Sequence, residues 1–220
     1  MSRLKWIAVL AAATVGAGTA VGFAASLNVA SWHIWAGSQT LTKGTCTVTG
    51  SASIVDSYVK ENSPTSSFGG NATVLVRADA GLHDWTFIRF DLSTCSLPTT
   101  AGADNATMKL VVKTTASGGR ALTVTPVLST WSGTLTWNQA QALTYGSSAT
   151  TTFGTGTTNG ATLSVPVTID VDALIKSSTA NYGWRILDGG STATGNTTTF
   201  NAVNAGSSAL RPQLVITYEK

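Results

Sequence analysis

Short runs of alternating apolar and polar residues recur from Ala52 to Tyr218, and the stretches between them are rich in Gly, Ser, Asn and Pro. A two-residue alternation places apolar side chains on one face of a strand and polar ones on the other. The runs predict strands at 52–59, 72–78, 85–91, 106–114, 122–127, 162–170, 182–187, 197–201 and 213–218, with one more leading in at 41–48. Turn chemistry separates them, as in Asn62-Ser63-Pro64, Phe68-Gly69-Gly70-Asn71, Leu97-Pro98 and Asp188-Gly189-Gly190. Many short strands at near-regular spacing predict an all-β fold, a single antiparallel β-sandwich of jelly-roll type. Two segments break the rhythm. Residues 128–145 carry two Trp and a candidate helical turn at Asn138–Leu143. Val171–Ser177 reads as one short helix, capped by Asp170, with Val171, Leu174 and Ile175 on one face. The Thr/Gly tract from Ala149 to Gly160 reads as a loop.

Composition sharpens the picture. Only 10% of the 220 residues are charged, against about 25% in an ordinary intracellular domain, so Thr, Ser, Asn and Gly must cover the surface. Arg3 and Lys5 precede an apolar run from Trp6 to Ala25, the pattern of a secretory signal. The run is also long enough to span a bilayer as a retained anchor. Either way the rest of the chain is expected outside the cell: an arm or linker at 26–50, carrying Trp32, Ile34 and Trp35, and a sandwich domain at 51–220. Without Arg3 and Lys5 the chain is close to neutral and has no Lys/Arg cluster, which argues against nucleic-acid binding. Cys46 and Cys95 are the only two cysteines. Export predicts a disulfide between them, and the alternative is two buried thiols.

Several phrases along the chain carry a resemblance. They are Asp56-Ser57-Tyr58-Val59, Ser63-Pro64, Phe68-Gly69, Leu75-Val76-Arg77, Phe90-Asp91-Leu92-Ser93 with Leu97-Pro98, and Ala106-Thr107-Met108-Lys109-Leu110. Trp131 with Thr136-Trp137-Asn138, Asn181-Tyr182-Gly183 and Arg211-Pro212-Gln213-Leu214 complete the set. In this order the chain resembles the DNRLRE-domain proteins, related to carbohydrate-binding module family 96, over about residues 54–218. The resemblance implies a β-sandwich on secreted or cell-surface proteins, in many relatives beside carbohydrate-active enzymes. Gln139-Ala140-Gln141-Ala142 departs from the Asn and Pro that often follow Thr-Trp-Asn in the family. Phe200-Asn201-Ala202-Val203-Asn204 lacks the acidic residue that relatives often place there.

The chemistry on offer is binding rather than catalysis. Glycoside hydrolysis uses two carboxyl groups about 5 to 10 Å apart. Here Glu occurs only at Glu61 and Glu219, and Asp91 reads as a structural partner of Arg89 two residues earlier. No Gly-x-Ser-x-Gly elbow is present, and the two histidines, His33 and His83, suit no triad. Zinc lacks ligands at suitable spacing. A structural calcium has candidate ligands in Asp79 and Asp84, at a hairpin tip, and in Asp170 and Asp172. Sugar binding calls for an exposed aromatic ring flanked by hydrogen-bonding side chains. Trp85 and Trp184 are the expected stacking platform, with Arg89, Arg185 and Asn181 as polar partners, whereas Trp131 and Trp137 are expected to plug an edge of the sandwich. The expected function is a non-catalytic module on polysaccharide or another surface glycan. The alternative is a structural or adhesive surface protein that self-associates, its arm pairing with a neighbour's sheet edge.

Overall fold

The computed structural model describes residues 42–98, 101–116, 118–176, 179–189, 195 and 197–219. The leader and most of the arm, with Trp32, Trp35 and His33, lie outside the described residues. In chain order the strands are β1 (Lys43–Val48), β2 (Ile54–Lys60), β3 (Thr73–Asp79), β4 (Leu82–Phe90), β5 (Gly102–Thr114), β6 (Ala121–Pro126), β7 (Thr151–Gly154), β8 (Thr162–Pro166), β9 (Trp184–Asp188), β10 (Thr198–Asn201) and β11 (Gln213–Glu219). Two short α-helices interrupt them, α1 (Trp137–Gln141) and α2 (Thr168–Ile175). Every strand pairing is antiparallel.

Two sheets face each other. The first holds β1, β11, β5 and β8. The second is built around β4, which pairs with β2, β3 and β9, and it continues through β6 to β7. Strand β10 pairs with both β3 and β5 and so links the sheets. Between them Met108, Leu110, Leu214 and Ile216 meet Ile88, Phe90, Leu122 and Ile186, all essentially buried. Burial of each such side chain stabilises by about 1.5–3 kcal/mol. The outward face of the first sheet presents Thr45, Thr47, Thr107 and Thr217, the low-charge covering that the composition demanded.

The strand expected to lead in at 41–48 is β1, whose full register with β11 (Lys43↔Glu219 to Val48↔Leu214) makes it a strand of the first sheet. Three other readings need correction: the start of the short helix, the Thr/Gly tract and the number of helices. Cys46 on β1 is disulfide-bonded to Cys95, with Cα atoms 5.8 Å apart. The strand read over 162–170 ends at Pro166, and α2 starts at Thr168; Val167 is its N-cap, without a side-chain cap, so Asp170 sits inside the first turn. The Thr/Gly tract contains β7, which its single large apolar residue, Phe153, did not announce. A second helix exists, α1, where the turn at Asn138–Leu143 was expected.

The largest departure is a third layer. The connection from β6 to β7 folds over the outer side of the second sheet. Trp131, Leu135, Trp137 and Ala140 close on Val59 of β2 and Phe87 of β4 as a separate buried cluster. A reciprocal capping box, in which Gln139 N–H donates to the Thr136 hydroxyl and Thr136 N–H to Gln139 Oε1, starts α1. Asn138 N–H donates to the Pro64 carbonyl and ties α1 to the 62–68 loop. Gly69 permits a second close approach to the same connection: a Cβ there would lie 2.1 Å from the Gly133 carbonyl oxygen. Trp131 and Trp137 are therefore buried, as parts of this outer layer rather than at an edge of the sandwich.

Candidate functional site

The five residues expected to bind sugar do not share one surface. Trp184 is 1% exposed, inside the main core, its ring 6.4 Å from Phe90 and its Nε1–H donating to Asp170 Oδ2 at 2.6 Å. It cannot be a stacking platform. Tyr182 stands two residues before it, and the chain turns at Gly183 between them. Gly183 has φ +72, and a Cβ there would meet the Ile88 carbonyl oxygen at 2.2 Å and Arg89 Cα at 2.7 Å. Only glycine allows this backbone approach, and the approach sends Tyr182 to the outer cluster and Trp184 inward.

Trp85 lies on the outer side, half-buried. Trp137 leans against it at 4.5 Å between ring centroids, and the Arg185 guanidinium lies over its ring at 4.8 Å. The same guanidinium lies 3.7 Å from the Tyr145 ring centre. Burial pushes Arg185 below its ordinary value and the Tyr145 hydroxyl up to about 12. The hydroxyl donates to the Ala140 carbonyl at 2.5 Å. Stacked cation–aromatic contacts of this kind contribute about 0.5–2 kcal/mol. Trp85 and Arg185 are thus committed to holding the outer layer and are not a free platform.

Arg89 and Asn181 do converge. They line a cleft of about 370 Å³ with Ser53, Val55, Phe90 and Asp91, inside the range of about 300–1,000 Å³ usual for ligand sites. Arg89 lies over the Trp131 ring at 5.6 Å, and Trp131 Nε1–H donates to the Tyr182 carbonyl at 2.6 Å. Asn181 Nδ2 donates to the Phe90 carbonyl at 2.8 Å, which fixes the amide at the cleft wall. Asp91 departs from its expected role as the partner of Arg89. Its Oδ1 accepts from Ser93 N–H at 2.9 Å and caps a turn of 3-10 helix at Leu92–Thr94. That backbone hydrogen bond holds its carboxyl below the usual carboxylate range. Its place beside Arg89 in Phe87-Ile88-Arg89-Phe90-Asp91 was the signal that could have put it in the site.

A wider, shallower trough crosses β6 and β7, floored by Ala121, Thr123, Thr152 and Gly154. Its charged groups are spent on each other: Arg120 Nη2 donates to Asp188 Oδ1 at 2.7 Å and Nε to Oδ2 at 2.5 Å.

Three of the four carboxylates considered for calcium have partners within the protein. Asp84 is buried and paired with Arg77, Oδ2 to Nε at 3.1 Å, with burial raising its carboxyl and Arg77 opposing. It is therefore not a hairpin-tip ligand beside Asp79. Asp170 Oδ2 accepts from Trp184 and from the Thr150 hydroxyl. Asp172 accepts from Ala103 N–H at 2.9 Å, and Lys176 holds its carboxyl low. Among the described residues no three His, Cys, Asp or Glu side chains gather as metal ligands.

A family model, Carbohydrate-binding module family 96, matches residues 47–218. The chain belongs to carbohydrate-binding module family 96. A search of the curated proteins finds no match. Several phrases that carried the resemblance now have physical roles in this module. Asp91 caps, Thr136-Trp137-Asn138 starts and anchors α1, and Gly183 makes the close approach to β4. Asp56 is buried, and its Oδ2 accepts from Val203 N–H at 2.6 Å. Burial pushes that carboxyl up to about 6. Asp56 thus reaches the very segment, 200–204, in which the acidic residue common in relatives is missing.

Proposed function

We propose that this module holds polysaccharide outside the cell without cleaving it, and that the chain is gripped in the cleft of Arg89, Asp91 and Asn181. The observation that carries the reading is the convergence of these three side chains at the end of β4, in a module of a carbohydrate-binding family. A sugar hydroxyl both donates and accepts, so a site for it needs both kinds of partner. The guanidinium supplies donors, the carboxylate acceptors, and the amide its second N–H. The Arg89 guanidinium is backed by the Trp131 ring, 5.6 Å from its centre.

Retention of the full chain on a panel of insoluble and soluble polysaccharides tests this, run with and without calcium. Retention on some members of the panel, weakened about tenfold or more by Arg89→Ala and by Asn181→Ala, is the expected result. Lys109→Ala, on the opposite sheet, leaves it unchanged. A folded protein retained by nothing, or retained equally with and without Arg89 and Asn181, contradicts the reading.

A further inference from the structure

Between α2 and the start of β9 lies a small pocket of about 120 Å³, walled by Pro126, Leu128, Leu174, Tyr182 and Trp184, with Asp170 as its one charged side chain. It is too small for a sugar ring, since whole-ligand sites run to about 300 Å³ and above. It suits one substituent on a ring. Both donors that reach Asp170, Trp184 Nε1–H and the Thr150 hydroxyl, are spent on Oδ2. Oδ1 accepts from no donor among the described residues. Leu128 stands at the rim and is 48% exposed, a large apolar side chain left uncovered beside an apolar hole.

We propose that this pocket takes the acetamido group of an N-acetylated sugar in the bound glycan, an inference that rests on the polysaccharide-binding reading above. The methyl group fills the apolar wall, and the amide N–H donates to the spare Oδ1 of Asp170. Other common substituents fit worse. A uronic acid carboxylate would face the Asp170 carboxylate across a nearly apolar space. The ammonium of a free amino sugar would give up its hydration for one oxygen, with apolar walls against its remaining N–H groups. A bare hydroxyl would leave the wall unfilled. The pocket and the cleft are lined by consecutive residues of one segment. Asn181 lines the cleft, and Tyr182, Gly183 and Trp184, the next residues along the chain, line the pocket.

The test titrates the full chain calorimetrically with three soluble β-1,4 oligosaccharides of equal length, built from N-acetylglucosamine, glucosamine or glucose. Binding of the acetylated series about tenfold or more tighter than the other two is expected, the discrimination that one methyl-sized group achieves in an apolar pocket. Leu128→Glu, a rim change that leaves the core intact, should bring the three series close to parity. Asp170→Ala should do the same, and because it also strips Trp184 of its acceptor the rim variant is the one that decides. Equal binding of the acetylated and glucose series overturns the pocket while leaving the cleft standing. So does a preference that survives Leu128→Glu, and so does binding of another polysaccharide in the panel with none of these three. Failure of the folded chain to bind any member of the panel removes the polysaccharide reading and this inference with it.

Discussion

The inner and outer layers of this module are buried by different means. Between the sheets, aliphatic and aromatic side chains from two extended surfaces interlock, and most of them are sealed almost completely. Over the outer side of the second sheet, a single connection supplies the cover, and its contacts are aromatic rings and guanidinium groups. An interface between two sheets is cooperative, because each strand is held by its neighbours. A cover laid on by one segment opens locally at lower cost. The lesson concerns function as well as stability. The cleft and the pocket both lie beside this outer layer, where Trp131 of the connection touches Arg89 and the Tyr182 carbonyl.

The sharpest way to break the comparison is to cut one large ring from each layer. Phe90→Ala, in the inner core, should cost about 3–5 kcal/mol in denaturant unfolding, with the whole domain losing structure together. Trp137→Ala should fall at the low end of that range, about 3 kcal/mol, and its signature is local. Amides of Leu143 and Tyr145 should exchange faster while those of β5 and β11 stay protected. Loss of equal size and equal spread in the two variants would erase the distinction.

The disulfide belongs to the inner layer. Replacing Cys46 and Cys95 by Ser should cost about 4 kcal/mol, the effect of opening a loop of about fifty residues. Accelerated exchange in β1 and β11, with the outer layer untouched, is the expected pattern.

Asp56 sits at the end of β2 that faces the 200–204 segment, and its carboxyl is raised to about 6 by burial. Its unfolded value is near 3.9, so the folded chain binds this proton more tightly. The stabilisation is fully present below about pH 4 and is lost as pH rises towards 6, roughly 2–3 kcal/mol in all. Subtracting the pH–stability curve of Asp56→Asn from that of the parent isolates this contribution. A difference that stays flat from pH 4 to 7 would contradict it.

The smallest expected effect is Tyr145→Phe. It removes the hydroxyl that donates to Ala140 and keeps the ring against Arg185, so a loss near 1 kcal/mol is expected.

Much of this architecture was legible in the amino-acid order. The alternation at Trp85–Asp91, 106–114 and 213–218 correctly marked strands, because a half-buried sheet imposes a period of two. The same alternation misled about Trp85 and Trp184. It separates two faces but does not say that both are covered, and Phe87, Trp131 and Trp137 come together only through the path of one long connection. Nor could alternation follow Trp184 and Tyr182 to opposite sides, since the turn at Gly183 resets the phase. Strand β7 was invisible because Thr151–Gly154 offers one large apolar side chain, and its pairing is dictated by β6. Of the five residues expected to bind sugar, Arg89 and Asn181 line one cleft. Three of the carboxylates considered for calcium, Asp84, Asp170 and Asp172, are each engaged by a local donor, Arg77, Trp184 and Lys176 in turn, that strand spacing alone did not reveal.

The account's central claim is that glycan is held beside the outer layer, at the end of β4. Hydrogen exchange of the full chain, with and without a polysaccharide that retains it, tests this directly. The account predicts protection that rises at Ser53–Val55, Phe90–Asp91 and Asn181–Gly183 and is unchanged on β1, β11 and β8. Protection on the threonine-bearing face of the first sheet, with none at the β4 cleft, would contradict it.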